Sequence, residues 1–151
     1  MDEPVLGAVG VGFDIVQISE VSSSLMNFGD AFKNRLFTRD ELSYASGDES
    51  LCAERLAARF AAKEAVIKAL LLSEVGVHWP EIEVVKKTEG DCYLKLHGYV
   101  AMLAISRGAT QWLLNMSHEG DYAGAVVIAL GFTPNRILPE LALKVKNVGI
   151  H

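Results

Sequence analysis

Apolar positions change their period along this 151-residue chain, and the changes mark its elements. Residues 8–18 (AVGVGFDIVQI) are apolar almost without a break, with glycines at the start, which predicts a buried β-strand. One acid, Asp14, interrupts it. Residues 51–72 instead follow a helical period: Leu56, Phe60, Ile67 and Leu71 recur at steps of four, seven and four and mark a buried stripe. Between the two, Ser19 and Ser22 to Ser24 offer caps for a short helix through Leu25 and Met26, and residues 28–36 form another helical piece. Thr38 with Glu41 three positions later makes a capping box, opening a helix that ends near Gly47. Gly76 and Pro80 break the chain.

The second half alternates with period two. Residues 81–85 and 92–96 predict a hairpin around Gly90 and Asp91. Residues 99–107 read as a helix closed by Gly108, 111–116 as a strand, 118–121 as a turn and 122–130 as a buried strand. Helices and antiparallel hairpins in this order predict an α+β fold, an antiparallel sheet packed on one long helix with shorter helices around it. Residues 1–130 form a single domain. Residues 131–151, with Pro134 and Pro139, read as a C-terminal extension with a helical pattern near 138–145.

Composition narrows the classes. Apolar residues are 50% and charged residues 22%, a globular balance. No apolar run reaches membrane-spanning length, and the start, Met1-Asp2-Glu3-Pro4, lacks the basic opening of a secretion signal. Cys52 and Cys92 match no metal spacing and suit thiols in a reducing compartment, so the chain reads as cytoplasmic. A net charge of −5 argues against a nucleic-acid binder. Arg55, Arg59, Lys63 and Lys68 nevertheless fall within one helix. Such a positive wall suits a small anionic ligand. The alternative is solvated helix charge, with Glu64 and Lys68 as an i,i+4 pair.

The polar residues that break apolar elements are the candidates for chemistry. Lys63 and Glu64 both lie on the predicted buried stripe, where charge is costly unless paired, hydrated or bound. Asp14 breaks the first strand, and Ser117-His118 follow a late one. Singly, each has an ordinary explanation: Asp14 as an acceptor for backbone donors, His118 as a surface histidine in a turn. Together, two carboxylates without a histidine or cysteine partner favour a hard cation such as Mg²⁺, which is held by one or two carboxylates, waters and substrate phosphates. Lys68, one turn from Glu64, could reach a phosphate, and Arg59 and His118 another. The residues themselves therefore suggest a Mg²⁺-dependent phosphate-ester or pyrophosphate site. Neither a Walker A motif nor GxGxxG is present.

Five segments, in order, then resemble a known family. Residues 10–18 (GVGFDIVQI) are similar to the G-I-D-I/L-V-x-I opening of the small holo-acyl carrier protein synthases. Residues 35–42 (RLFTRDEL) resemble their next block. Residues 58–69 (ARFAAKEAVIKA) resemble their W/F-x-x-K-E-A-x-x-K-A helix. Residues 81–84 with 94–98 resemble the central strands, and 115–123 (NMSHEGDYA) the closing S-I-S-H block. The resemblance spans about residues 8–130.

It implies a 4′-phosphopantetheinyl transferase, which moves the phosphopantetheine arm of coenzyme A to a serine of an acyl carrier protein and releases adenosine 3′,5′-bisphosphate. It implies a homotrimer with active sites between subunits. Asp14 and Glu64 fall on the Mg²⁺-binding positions, and Glu64 and Lys68 on the catalytic ones. Arg59, Lys63, Lys68, Ser117 and His118 are the expected coenzyme A contacts. Phe13 departs from the family pattern, as does Gly90-Asp91 in place of Gly-x-Pro. Glu20 stands where family members often carry the basic residues that dock the carrier; Lys33, Arg35 and Arg39 are the replacements in reach. The alternative is a trimeric module that binds coenzyme A or a nucleotide and has lost catalysis.

Overall fold

In the computed structural model, which describes residues 4–133, eleven elements follow one another. They are β1 (Val5–Gln17), α1 (Ile18–Phe28), α2 (Asp30–Leu36), α3 (Arg39–Ala45), α4 (Glu49–Ala69), a single 3-10 turn (Trp79–Glu81), β2 (Ile82–Lys86), β3 (Cys92–Leu96), α5 (Gly98–Ser106), β4 (Gln111–Glu119) and β5 (Tyr122–Thr133). β5 lies between β1 and β4 in an antiparallel three-stranded sheet. β2 and β3 form a separate hairpin, Ile82 opposite Leu96 and Lys86 opposite Cys92. The α+β architecture, with one long helix against the sheet, is the one the sequence predicts.

Small residues decide how α4 meets the sheet. Ala53, Ala57, Ala61, Ala65 and Ala69 recur every fourth position and are all buried. Opposite them, a Cβ on Gly10 would collide with the Ala69 carbonyl and one on Gly12 with the Ala65 carbonyl. Helix and strand therefore approach backbone to backbone, a distance that only glycine permits. Ala123, Ala125, Val127 and Ala129 of β5 complete this floor.

Several boundaries differ from the sequence pattern, each for a local reason. α4 ends at Ala69, and Leu71 adopts φ 56°; it turns outward, 79% exposed, while the fully buried Leu72 takes the place predicted for it. α1 is a full helix that follows β1 directly. Its first turn is not capped by its own serines: the Asp121 carbonyl accepts from Ile18 N (2.7 Å), and the Asp121 carboxylate accepts from Ser19 N (2.9 Å) and Ser19 Oγ (2.6 Å). The Thr38–Glu41 capping box forms as predicted. β4 continues through Ser117 and His118 to Glu119, so His118 lies in a strand and the turn is confined to Gly120 and Asp121. β5 runs on to Thr133, pairing with Val5. The helical pattern near 138–145 lies outside the described residues.

Candidate active site

The close approach of β1 and α4 brings Asp14 to Glu64 and Lys68. Lys68 Nζ donates to Asp14 Oδ1 at 2.9 Å and to the Phe13 carbonyl at 3.0 Å. An ammonium has three protons, so one remains for a ligand. Glu64 titrates above the usual carboxylate range; burial is the larger cause, the Asp14 carboxylate the second, and Lys68 opposes them. Two acids beside one lysine in a half-buried place form a site with excess negative charge. The donors are hard oxygens, and a divalent cation completed by waters and phosphate oxygens fits them. Among the described residues there is no cluster of three or more metal-ligating side chains, so the two carboxylates alone would hold an ion only through such added ligands. Glu64 also opens on a cleft lined by Arg35, Ile67, Leu72 and Trp79. Arg35 and Trp79 are shared with an apolar groove of Phe28, Phe32 and Phe60.

Lys63, adjacent in sequence, has a different fate. It is fully buried, and its ammonium donates to Glu41 Oε1 at 2.8 Å and also bonds the carbonyl of Ile82. Burial pulls its pKa down, while the Glu41 and Glu83 carboxylates oppose that shift. Glu41 accepts in addition from Thr38 N (2.9 Å) and Val84 N (3.1 Å), so both its oxygens are engaged. The Thr38 hydroxyl donates to Glu83 Oε2 (2.7 Å), and Glu83 Oε1 meets His97 Nε2 at 3.0 Å. The expectation that Lys63 contacts coenzyme A is corrected on this ground: the ammonium is enclosed and committed to protein acceptors. His97, which the sequence leaves as a plain surface residue, terminates this network.

Arg59 is 3% exposed and lies with its Cζ 4.3 Å from the Tyr44 ring centroid. Its Nη1 donates to the Arg55 carbonyl at 3.3 Å, and its Nε is buried without a partner. Burial holds its guanidinium below the usual value. Ser117 and His118 take opposite faces of the sheet. His118 pairs through Ala123 with the buried Val16 and turns to α4, where Nε2 lies 3.3 Å from Glu54 Oε1. Ser117 pairs through Gly124 with the exposed Ile15 and borders a shallow outer pocket with Phe13 and Ile15. One chain thus unites Asp14, Glu64 and Lys68. It does not bring Ser117 to them, and among the described residues no hydrogen bond joins Arg59 to Ser117 or His118.

Sequence reasoning also missed Tyr44, Lys86 and Glu83. Tyr44 carried no signal because its neighbours come from distant helix and strand positions. Glu41 was legible only as a capping residue; its grip on Lys63 is non-local.

Residues 10–127 match the 4′-phosphopantetheinyl transferase superfamily. A holo-[acyl-carrier-protein] synthase of Salinispora arenicola is 41% identical over 80% of this chain and 97% of its own length. That of Gloeobacter violaceus is 38% identical over 81% and 92%. A solved ACPS–CoA complex from Chronobacterium ammoniagenes superposes with a TM-score of 0.70 at 32% identity, over 85% of this chain and 98% of that one.

Proposed function

The chain belongs to the 4′-phosphopantetheinyl transferase superfamily, and from that premise we propose that it transfers the phosphopantetheine arm of coenzyme A to a serine of an apo acyl carrier protein. The observation that carries the reading is the meeting of Asp14, Glu64 and Lys68 across the β1–α4 contact, inside the matched region.

Asp14 and Glu64 hold Mg²⁺ in this proposal. Bound there, the ion supplies neutralisation of the diphosphate charge. Lys68, positioned by Asp14 and the Phe13 carbonyl, turns its remaining proton to the bridging oxygen. The carrier serine Oγ forms a bond to the β-phosphorus, the bond from that phosphorus to the bridging oxygen breaks, and adenosine 3′,5′-bisphosphate leaves with the electron pair. Glu64, or a water held beside it, receives the serine proton from within hydrogen-bond reach of the hydroxyl. Arg59 and His118, with Ser117, hold the 3′-phosphate end of the donor. The carrier docks near α1 and α2, where Met26 and Phe28 are exposed beside Lys33 and Arg35, and the groove from Phe28 leads to the cleft at Glu64.

The active unit is a homotrimer. One face of the main sheet is covered by α4; the other exposes Val11, Phe13, Ile15 and Leu113, an apolar surface that further copies would bury. Ser117 lies on that outer face, so a subunit boundary is where it would join a site. None of the described helices is long and apolar enough to cross a membrane. Two unbonded thiols suit a reducing cytoplasm as the place of action.

Incubation with coenzyme A, Mg²⁺ and an apo carrier, followed by mass spectrometry, tests the proposal. The carrier gains the mass of the phosphopantetheine arm. Nucleotide release without carrier modification, or binding with neither product, contradicts it.

A further inference from the structure

α5 is covered on one side only. Val100 and Ala104 are buried in the cluster that also holds Ala65, Val66, Val127 and Ala129, so the helix lies on the α4 side of the main sheet. Its outer side carries Tyr99, Met102 and Ile105, successive turns of one row, at 53%, 68% and 71% exposure. Three large apolar side chains aligned on a nine-residue helix form a continuous patch, which is a surface that something covers. The apolar sheet face assigned to the trimer points the other way, so further copies packed there leave the row on α5 open.

The chain itself leads to this patch. β5 ends beside the C-terminal end of α5: Thr110 N donates to the Leu130 carbonyl at 2.8 Å, and a Cβ on Gly131 would strike the Gly108 carbonyl. Pro134 then has no N–H with which to extend the ladder. Residues 134–151 lie outside the described residues, and their sequence carries a helical period: Leu138, Leu141, Val145 and Val148 recur at steps of three, four and three. Pro139 suits the first turn of such a helix, Glu140 its positive end, and Lys144 and Lys146 its negative end. The lengths agree. Residues 134–137 reach about 13 Å when extended, and a helix over residues 138–148 is about 16 Å long beside about 13 Å for α5. The charges agree as well. Running back along α5, the segment brings Glu140 to the end that carries the exposed Arg107. It brings its lysines to the other end, where the Glu81 carboxylate accepts from Tyr99 N (3.1 Å) and Val100 N (3.3 Å).

We propose that residues 138–148 form an amphipathic helix that docks on the outer face of α5 of the same chain, its apolar stripe against Tyr99, Met102 and Ile105. The segment lies beyond the family match, which ends at residue 127, and its docking does not depend on the transferase reading.

Methionine oxidation by hydrogen peroxide, followed by mass spectrometry of peptides from the full chain, tests this. Met102 is the probe, and Met26, 82% exposed on α1, is the internal reference. In the unmodified protein Met102 oxidises about tenfold more slowly than in Leu141→Asp, the factor for a cover that is open about one-tenth of the time. Met26 reacts alike in both. Equal Met102 rates in the two proteins overturn the proposal. So does protection of Met102 that fades on dilution, which assigns the patch to a second copy. A change at Met26 as large as that at Met102 also overturns it, because the substitution then loosens the whole protein rather than uncovering α5. Should Leu141→Asp fail to fold, Val145→Asp decides by the same comparison. Carrier modification is not read in this experiment, so its result and that of the transferase test stand apart.

Discussion

Lys63 and Glu64 are neighbours on one helix, yet the surroundings they meet are opposite. Around Lys63 every charge is answered: Glu41, two backbone amides, Thr38 and Glu83 form a chain through the interior that ends at the half-exposed His97. Around Glu64 the balance is left open. Asp14 raises its proton affinity, Lys68 answers only in part, and a cleft leads outward. The difference teaches that charge on a buried helix face is not itself a sign of a site. A satisfied pair specifies how α3, α4 and β2 fit together, while an unsatisfied pair is available to bind.

The sharpest break of that comparison is Lys63→Met. Removing one partner leaves the Glu41 carboxylate buried beside an apolar side chain, which costs about 3–5 kcal/mol of folding stability. A denaturant melt measures it, and a loss below about 1 kcal/mol would show that the network is not closed in solution. Glu64→Gln should do the reverse. Stability without Mg²⁺ holds or rises slightly, because a carboxylate with raised proton affinity is costly when ionised. Turnover falls on the order of 10²–10³-fold, the scale of losing one electrostatic stabiliser. Turnover within twofold of the unmodified protein would remove Glu64 from the site.

Gly12→Ala probes the junction between the two regions. Its methyl would strike the Ala65 carbonyl, so β1 must lift from α4 at a cost of about 1–3 kcal/mol. Asp14 moves with the strand, so turnover should drop more than stability accounts for. The smallest effect expected is with pH. Glu64 has its folded-state pKa raised, so its protonated form favours the folded, metal-free protein: that contribution is complete below the ordinary carboxylate pKa and disappears as pH rises through the raised value. Mg²⁺ requires the ionised form, so its stabilising effect should grow over that same interval. Melting temperatures with and without Mg²⁺, taken across the acid range, should diverge as pH rises; parallel curves would contradict the assignment.

Much of this is legible in the sequence. Period alone separates α4 from the strands, and the capping box at Thr38 and Glu41 is local chemistry that the fold reproduces. Asp14 and Glu64 stand out because each breaks an apolar run, and the ordered motifs around them carry the family. What was not legible depends on distant partners. Leu71 follows the helical period but lies past the helix end, and only the left-handed turn there reveals that Leu72 enters the core. Lys63 looks as exposed to function as Glu64 until Glu41 arrives from another helix. His118 and Ser117 are adjacent, and pairing with β5 sends them to opposite faces.

Asp14 and Glu64 would together hold one divalent ion when the donor is bound. Calorimetric titration of Mg²⁺ into the protein with coenzyme A present, repeated for Asp14→Asn and Glu64→Gln, tests it most directly. One ion per active site is expected in the unmodified protein, and loss of that binding in either variant. Mg²⁺ binding that survives both substitutions unchanged would contradict it.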